Sequence, residues 1–346
     1  MKKHFAVLTL QPVKSVAMAT LFSGLLVAIF FLLANMQRVA AQTDSAPIVK
    51  PPTGVTSSMQ NPLQVAILHW YNGNQTTAFT TGTAPYGIAF DGQNLWITNF
   101  ASNNVIKMQP SDGTILGTFA VGTNPIAVAY DGADVWVANI NSNNVTKLNG
   151  STGAVLATIA VGTEPDAVAF DGANIWVTNN TGGTVTKLKA STGAVLGTFT
   201  AGTNPAGVVF DGTNVWITLN GAASVIKMSP TGTILGTFAV GTSPTGIAFD
   251  GTNIWTANYG SANVTKLSLT GTVLGTFTAG SGPNGIAYDG ANIWVTDFNA
   301  TTVTKLKAST GATLNTFTVG KDSAGVAFDG INIWVTNFGG TTVTKL

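Results

Sequence analysis

From Pro165 to Thr203 the chain reads PDAVAFDGANIWVTNNTGGTVTKLKASTGAVLGTFTAGT, and variants of this sentence make up seven copies in all. The Asp-Gly pair of each copy falls at Asp91, Asp131, Asp171, Asp211, Asp250, Asp289 and Asp329, a spacing of 40, 40, 40, 39, 39 and 40 residues. A fixed period of this size marks a repeat architecture, in which no single unit can bury its apolar faces alone. Repetition also separates roles. Residues identical in every copy serve the fold, and positions that break the pattern are where function can differ.

Each copy contains four short apolar or β-branched runs separated by turn residues. In the first copy they span residues 87–90, 95–98, 104–108 and 115–121. Asp91-Gly92-Gln93-Asn94 is a hairpin signal, because Gly and Asn tolerate positive φ. Asp112-Gly113, Thr152-Gly153 and Thr192-Gly193 mark the turn between the third and fourth runs. No segment has helical periodicity. The pattern predicts an all-β chain, a seven-bladed β-propeller with four antiparallel strands per blade. A Trp recurs at the second strand of every copy, and seven identical Trp residues are expected to wedge between blades rather than to stack a cofactor. Burying roughly 200 Å² at about 25 cal/mol per Å² gives on the order of 5 kcal/mol each, before entropy is subtracted.

The last copy stops at Leu346, after its third strand, whereas residues 65–82 align without a gap to the third and fourth strands of other copies. Residues 76–82 are therefore expected to supply the outer strand of the last blade, closing the ring from the N-terminal side and protecting its edges. One ambiguity follows. Residues 65–68 duplicate 343–346, so two segments compete for one third-strand slot, unless the chain is part of a longer array.

Ahead of the repeats, Lys2, Lys3 and Lys14 precede an apolar run over residues 16–34 and a small-residue exit, Val39-Ala40-Ala41. This is the layout of a signal peptide spanning 1–41, or of an uncleaved membrane anchor. Residues 42–64 are Pro- and Ser-containing and read as a flexible linker, leaving 65–346 for the propeller. Beyond residue 41 the chain has 11 basic and 14 acidic groups, no Arg, no Cys, one His (His69) and one Glu (Glu164). Without Arg or a basic excess it is a poor candidate for nucleic acid. The fold must be held by packing alone, without disulfides, and an exported (periplasmic, cell-surface or secreted) monomer is expected.

Ile175-Trp176-Val177-Thr178-Asn179, then Thr184-Val185-Thr186-Lys187-Leu188, then Thr198 through Pro205, resembles the YVTN-type repeat of surface-associated propellers. It is also similar to the NHL-type and streptogramin (virginiamycin B) lyase-like propellers. The resemblance covers residues 65–346. A lyase of this kind implies His and Glu side chains at the channel mouth, where this chain offers His69, beside the duplicated third strand, and Glu164. A lactonase-type propeller implies a divalent metal, and Glu164, Asp166, Asp297 and the recurring Asn could supply oxygen ligands suited to Ca²⁺.

In a propeller the 1–2 and 3–4 turns share one face. The seven strand-3 lysines (Lys107 to Lys345) fall there too, each with a repeated Asp expected as partner. The opposite face, built from the 4–1 and 2–3 connections, is where the copies diverge. The residue before the repeated Pro (Ser323 in the last copy) runs Ala84, Asn124, Glu164, Asn204, Ser243, Gly282, Asp322. The one after it runs Tyr86, Ile126, Asp166, Ala206, Thr245, Asn284, Ala324. The Asn ending strand 2 becomes Leu219 and Asp297 in two copies, and large side chains follow it at Phe100, Ile140, Tyr259, Phe298 and Phe338. Tyr86, Phe100, Glu164, Asp166, Tyr259, Asp297, Phe298, Asp322 and Phe338 are thus the candidate ligand-binding residues. They suit a small glycan, a peptide or a protein loop. A non-catalytic binding or surface-interaction module without a cofactor is expected. The alternative is a lyase or metal-dependent hydrolase drawing on Asp166, Asp297 and Glu164.

Overall fold

Every copy turns at its Asp-Gly pair, and this turn is where local chemistry becomes a blade. In the third copy one carboxylate oxygen of Asp171 accepts the backbone N–H groups of Ala173 and Asn174 at 2.9 and 2.6 Å. The other accepts the indole N–H of Trp176 at 2.8 Å. Gly172 has a φ of +94° with open space where a Cβ would stand, so it is needed for the backbone angle alone. The same Asp–Trp bond, 2.7 or 2.8 Å long, forms in all seven copies. Burial alone would raise these carboxyls, but the N–H donors outweigh it and hold Asp171, Asp250, Asp289 and Asp329 below the usual aspartate range. A carboxyl depressed in this way stabilises the fold at neutral pH, and that contribution is lost as pH falls through the folded value.

The computed structural model describes residues 78–346, which form seven four-stranded antiparallel sheets, the expected propeller. Blade 3, for example, runs outward through Pro165–Phe170, Asn174–Asn179, Thr184–Lys189 and Val195–Thr200. Inner strands of successive blades touch one another around to the contact of Ser323–Phe328 with Pro85–Phe90, so the ring is closed. The outer strand of blade 7 is Ala78–Thr80, in register Ala78↔Thr344, Phe79↔Val343 and Thr80↔Thr342. The third-strand slot of that blade belongs to Thr342–Lys345. The competing copy at 65–68, His69, the signal segment 1–41 and the linker 42–64 lie outside the described residues.

The core lies between blades. Trp176 is fully buried against Val215, Ile217 and Met228 of blade 4, with the Phe199 ring 5.9 Å away. Phe199 in turn covers Gly232 of blade 4, where a Cβ would stand 2.0 Å from the ring. The closure repeats this wedge from separate ends of the chain. Phe79 and Trp334 stand 5.4 Å apart and pack on Leu95, Ile97, Ile106 and Met108 of blade 1. A hydroxyl stitch adds direction to the packing. Thr178 accepts the N–H of Ala167 in its own blade at 2.9 Å and donates to the carbonyl of Ala206 in the next at 2.6 Å. Thr336 does the same across the closure, from Gly325 to the carbonyl of Tyr86.

The strand-3 lysines depart from expectation. Ion pairs with aspartate form at Lys107–Asp91 (3.8 Å) and Lys147–Asp134 (2.9 Å), but not as a repeated feature. The repeated partner is the indole face: all seven Nζ atoms lie 4.6–5.5 Å from a Trp ring centroid. Six of them also donate to a backbone carbonyl of the next blade, from Gly150 O at 2.7 Å to Pro110 O at 3.4 Å. The aspartates are engaged by Trp and turn N–H groups, so each lysine is held over its ring, and six of the seven tie their blade to the next. The lysines are scaffold.

Phe79→Ala should remove the closing wedge while leaving blades 1 to 6 intact. We expect a loss of roughly 3–5 kcal/mol, the range for truncating a buried Phe, read as a lowered denaturant midpoint. An unchanged midpoint would show that Ala78–Thr80 does not close the ring.

Candidate binding site at the channel mouth

The residue before the repeated Pro has left-handed backbone in every blade, with φ between +49° and +67° from Ala84 through Glu164 to Asp322. Asn124, Asn204, Gly282 and Asp322 tolerate this conformation, whereas it costs other L-residues roughly 1–2 kcal/mol. The variation here is therefore shaped partly by a turn requirement. The carbonyl of the same residue accepts the N–H of the residue that follows strand 2, as in Glu164 O from Asn180 (2.8 Å), Gly282 O from Phe298 (2.9 Å) and Asp322 O from Phe338 (3.0 Å). This bond anchors the rim side chains to the start of the inner strand.

Directly after the Pro, each inner strand is irregular in its pairing with strand 2, between Pro165 and Ala167 in blade 3 and between Pro85 and Ile88 in blade 1. Such bulges re-aim side chains. All seven residues at this position, Tyr86 through Ala324, line one cavity of about 250 Å³ enclosed by the inner strands. This is the central channel. Asp166 is the one charged residue of its lining.

The channel mouth is lopsided. The Phe338 ring is 5.4 Å from Tyr86, 5.7 Å from Phe100 and 5.8 Å from Phe298, the first two edge to face. Phe298 continues to Tyr259 at 6.3 Å. Five aromatic rings thus form one arc over blades 5, 6, 7 and 1. Blades 2, 3 and 4 carry Ile140, Asn180 and Asn220 at the equivalent rim position. There Asn204 donates to Asn180 Oδ1 at 3.0 Å, and the Thr181 hydroxyl donates to a Glu164 carboxylate oxygen.

Burial pushes the Asp166 carboxyl up to about 6; the Asn180 amide offsets part of this, and the Glu164 charge adds to it. Asp166 keeps some solvent exposure through the channel, but protein surrounds it on all other sides. Tyr86 is pushed up to about 12, chiefly by burial and then by the charge of Asp166, so its hydroxyl stays protonated. That hydroxyl also accepts from the Asn284 amide at 3.1 Å, two blades around the ring. Asn284 and Asn180 were not singled out as candidates. The signal for Asn284 was its place in the series after the Pro, the position that contributes Tyr86 and Asp166.

The structure brings Tyr86, Phe100, Tyr259, Phe298 and Phe338 into the arc, places Asp166 in the channel, and sets Glu164 and Asp322 in the mouth turns. Asp322 lies 4.0 Å from Lys321. Asp297 falls elsewhere. It is fully buried and accepts from Gly280 N–H (2.9 Å), Thr302 (2.8 Å) and Thr304 (2.9 Å). Asn337 fills the same slot in blade 7, bonded to Gly320, Thr342 and Thr344. Asp297 is thus a substitute for a structural Asn. Burial raises its carboxyl, with the Thr302, Thr304 and Gly280 bonds opposing. Glu164, Asp166 and Asp297 do not converge, and no three His, Cys, Asp or Glu side chains come together among the described residues.

No protein-family model and no curated protein matches the chain. Solved structures resemble it in fold. A streptogramin B lyase is similar with a TM-score of 0.66 and 20% identity, over 77% of this chain and 93% of the other. The virginiamycin B lyase of Staphylococcus aureus gives 0.67 and 20%, over 78% and 97%. The Kuenenia stuttgartiensis hydrazine synthase gives 0.67 and 19%, over 76% and 95%. At such identities the likeness is one of architecture, which is where the resemblance to streptogramin-lyase propellers holds.

Asp166 has a folded-state value above its unfolded one, so its ionisation weakens the fold as pH rises from about 4 to about 6. Asp166→Asn should therefore raise the melting temperature at pH 8, by roughly 2–4 °C for each kcal/mol recovered, and leave it unchanged near pH 3.5. A lowered melting temperature at pH 8 would contradict this placement of the carboxylate.

Proposed function

We propose that the propeller is a non-catalytic binding module that takes its ligand at the channel mouth. The observation that carries this reading is the join between the aromatic arc and the channel: Tyr86 belongs to both, and Asp166 stands within the same lining. Aromatic faces supply contact area with little conformational entropy to lose, and a few fixed polar groups orient what they hold. A small glycan, a peptide or a loop of a protein partner fits such a mouth. The N-terminal segment 1–41 would export the chain, as a signal peptide or an anchor, and the propeller would work as a monomer. No cofactor is part of this reading.

One observation favours a second reading. A carboxyl raised to about 6 that shares the channel lining with a protonated tyrosine is suited to general acid–base work. Two of the similar structures are a streptogramin B lyase and a virginiamycin B lyase. The test is direct. Incubating the full chain with a streptogramin B should leave it unconsumed if the module only binds, and consumption lost in Asp166→Asn would establish the enzyme.

For the binding reading, a thermal-shift screen of glycans and peptides should find a ligand whose effect Phe298→Ala abolishes or weakens about tenfold, a loss of roughly 1.4 kcal/mol, while the variant still unfolds in one cooperative transition. Ligands that bind Phe298→Ala as well as the parent chain would place recognition away from the mouth.

A further inference from the structure

We infer that the ligand of the mouth is an organic cation, a protonated amine or quaternary ammonium group, seated in the channel at Asp166 with the rest of the molecule on the aromatic arc. This deepens the binding reading and rests on it. Three observations carry it.

The first is the isolation of Asp166. It is the one charged group of the channel lining, no lysine approaches it within 4.0 Å among the described residues, and its neighbours are neutral or acidic. The seven turn aspartates each accept an indole N–H, and Asp297 accepts two hydroxyls and a backbone N–H, so those carboxylates are absorbed by the fold. Asp166 has no such set of donors. A cation entering the channel would supply the missing counter-charge.

The second is the distribution of charge between the two faces. Nine of the ten lysines in residues 78–346 lie on the strand-3 side toward the Asp-Gly turns, as do nine aspartates: the seven turn residues, Asp112 and Asp134. That face balances. Apart from Asp297, which is buried in the fold, the mouth half carries Glu164, Asp166 and Asp322 against Lys321 alone. Low-dielectric walls focus such an imbalance into the opening, which attracts cations and repels anions.

The third is chemistry and size. Aromatic ring faces attract ammonium groups, most strongly where water is displaced. Tyr86 is itself in the channel lining and joins the rest of the arc through Phe338, which packs in turn on Phe298. The cavity of about 250 Å³ is at or below the small end of the range of roughly 300–1,000 Å³ for ligand pockets. It has room for a head group rather than a whole large ligand, and the remainder would lie across the rim.

The test compares two probes of one shape and different charge, choline and its carbon isostere 3,3-dimethylbutan-1-ol, by titration calorimetry on the full chain at pH 7.5. Choline should bind saturably and at least about tenfold more tightly than the alcohol. Asp166→Asn should abolish that preference, Asp166→Glu should retain part of it, and Asp297→Asn should leave it unchanged. Melting curves of each variant without probe confirm folding. Equal binding of the two probes, choline binding indifferent to Asp166→Asn, or no choline binding would each overturn the assignment. If it is overturned while a glycan or peptide still binds in a Phe298-dependent way, the mouth remains a binding site for another ligand class. If neither holds, both readings fall.

Discussion

The hydrogen bond from each Trp indole to the carboxylate of its own Asp-Gly turn is the constraint from which the rest of the ring follows. It holds the indole at the start of strand 2, where it packs on the next blade and, in six of the seven copies, lies 5.1–5.9 Å from a Phe ring of its own blade. With the indole held, the lysine opposite on strand 3 lies over it and reaches the following blade. Removing the carboxylate would leave a buried N–H without a partner, at a cost of about 1–3 kcal/mol per site, and would free the wedge on which the inter-blade core depends. Seven repetitions distribute that role. Closure is different, because Phe79 alone provides the wedge drawn from the other end of the chain.

Much of this was legible beforehand. The 40-residue period gave the blade count, the Asp-Gly pairs the turns, and the alignment of residues 65–82 the closing strand. Local pattern alone could not identify the partners of the lysines. Aspartates were near in sequence, but their acceptor capacity was already taken by backbone and indole donors. Asp297 misled for a related reason. It broke a pattern on the divergent face, yet it fills a buried Asn slot where Asp makes the same contacts with reversed donors, Thr302 and Thr304. Glu164 shows the converse limit. Four of the other six residues in the series are Asn, Gly or Asp, which suit the positive φ that the turn needs, a backbone fact hidden behind apparent variability.

The scaffold's repetition makes departures from it informative. Of the polar positions on the mouth half, Asp297 serves packing, Thr245 donates to backbone carbonyls, and Asn284 is bonded to Tyr86. Asp166 is not absorbed in this way, and it is placed where burial penalises its charge. The arc of five aromatic rings is likewise unmatched on the opposite side of the mouth. A fold shared with lyases and a hydrazine synthase at about one residue in five leaves the chemistry to these few positions.

The most direct measurement is methyl NMR of the isoleucines during titration of the full chain with choline. Ile88, Ile126, Ile247 and Ile286 line the channel, whereas Ile115 and Ile234 lie on outer strands. Binding in the channel predicts saturable shifts of the first group, strongest at Ile126 beside blade 3, with Ile115 and Ile234 unmoved. Shifts confined to the outer-strand methyls, or no shifts in the channel at saturating probe, would contradict the account.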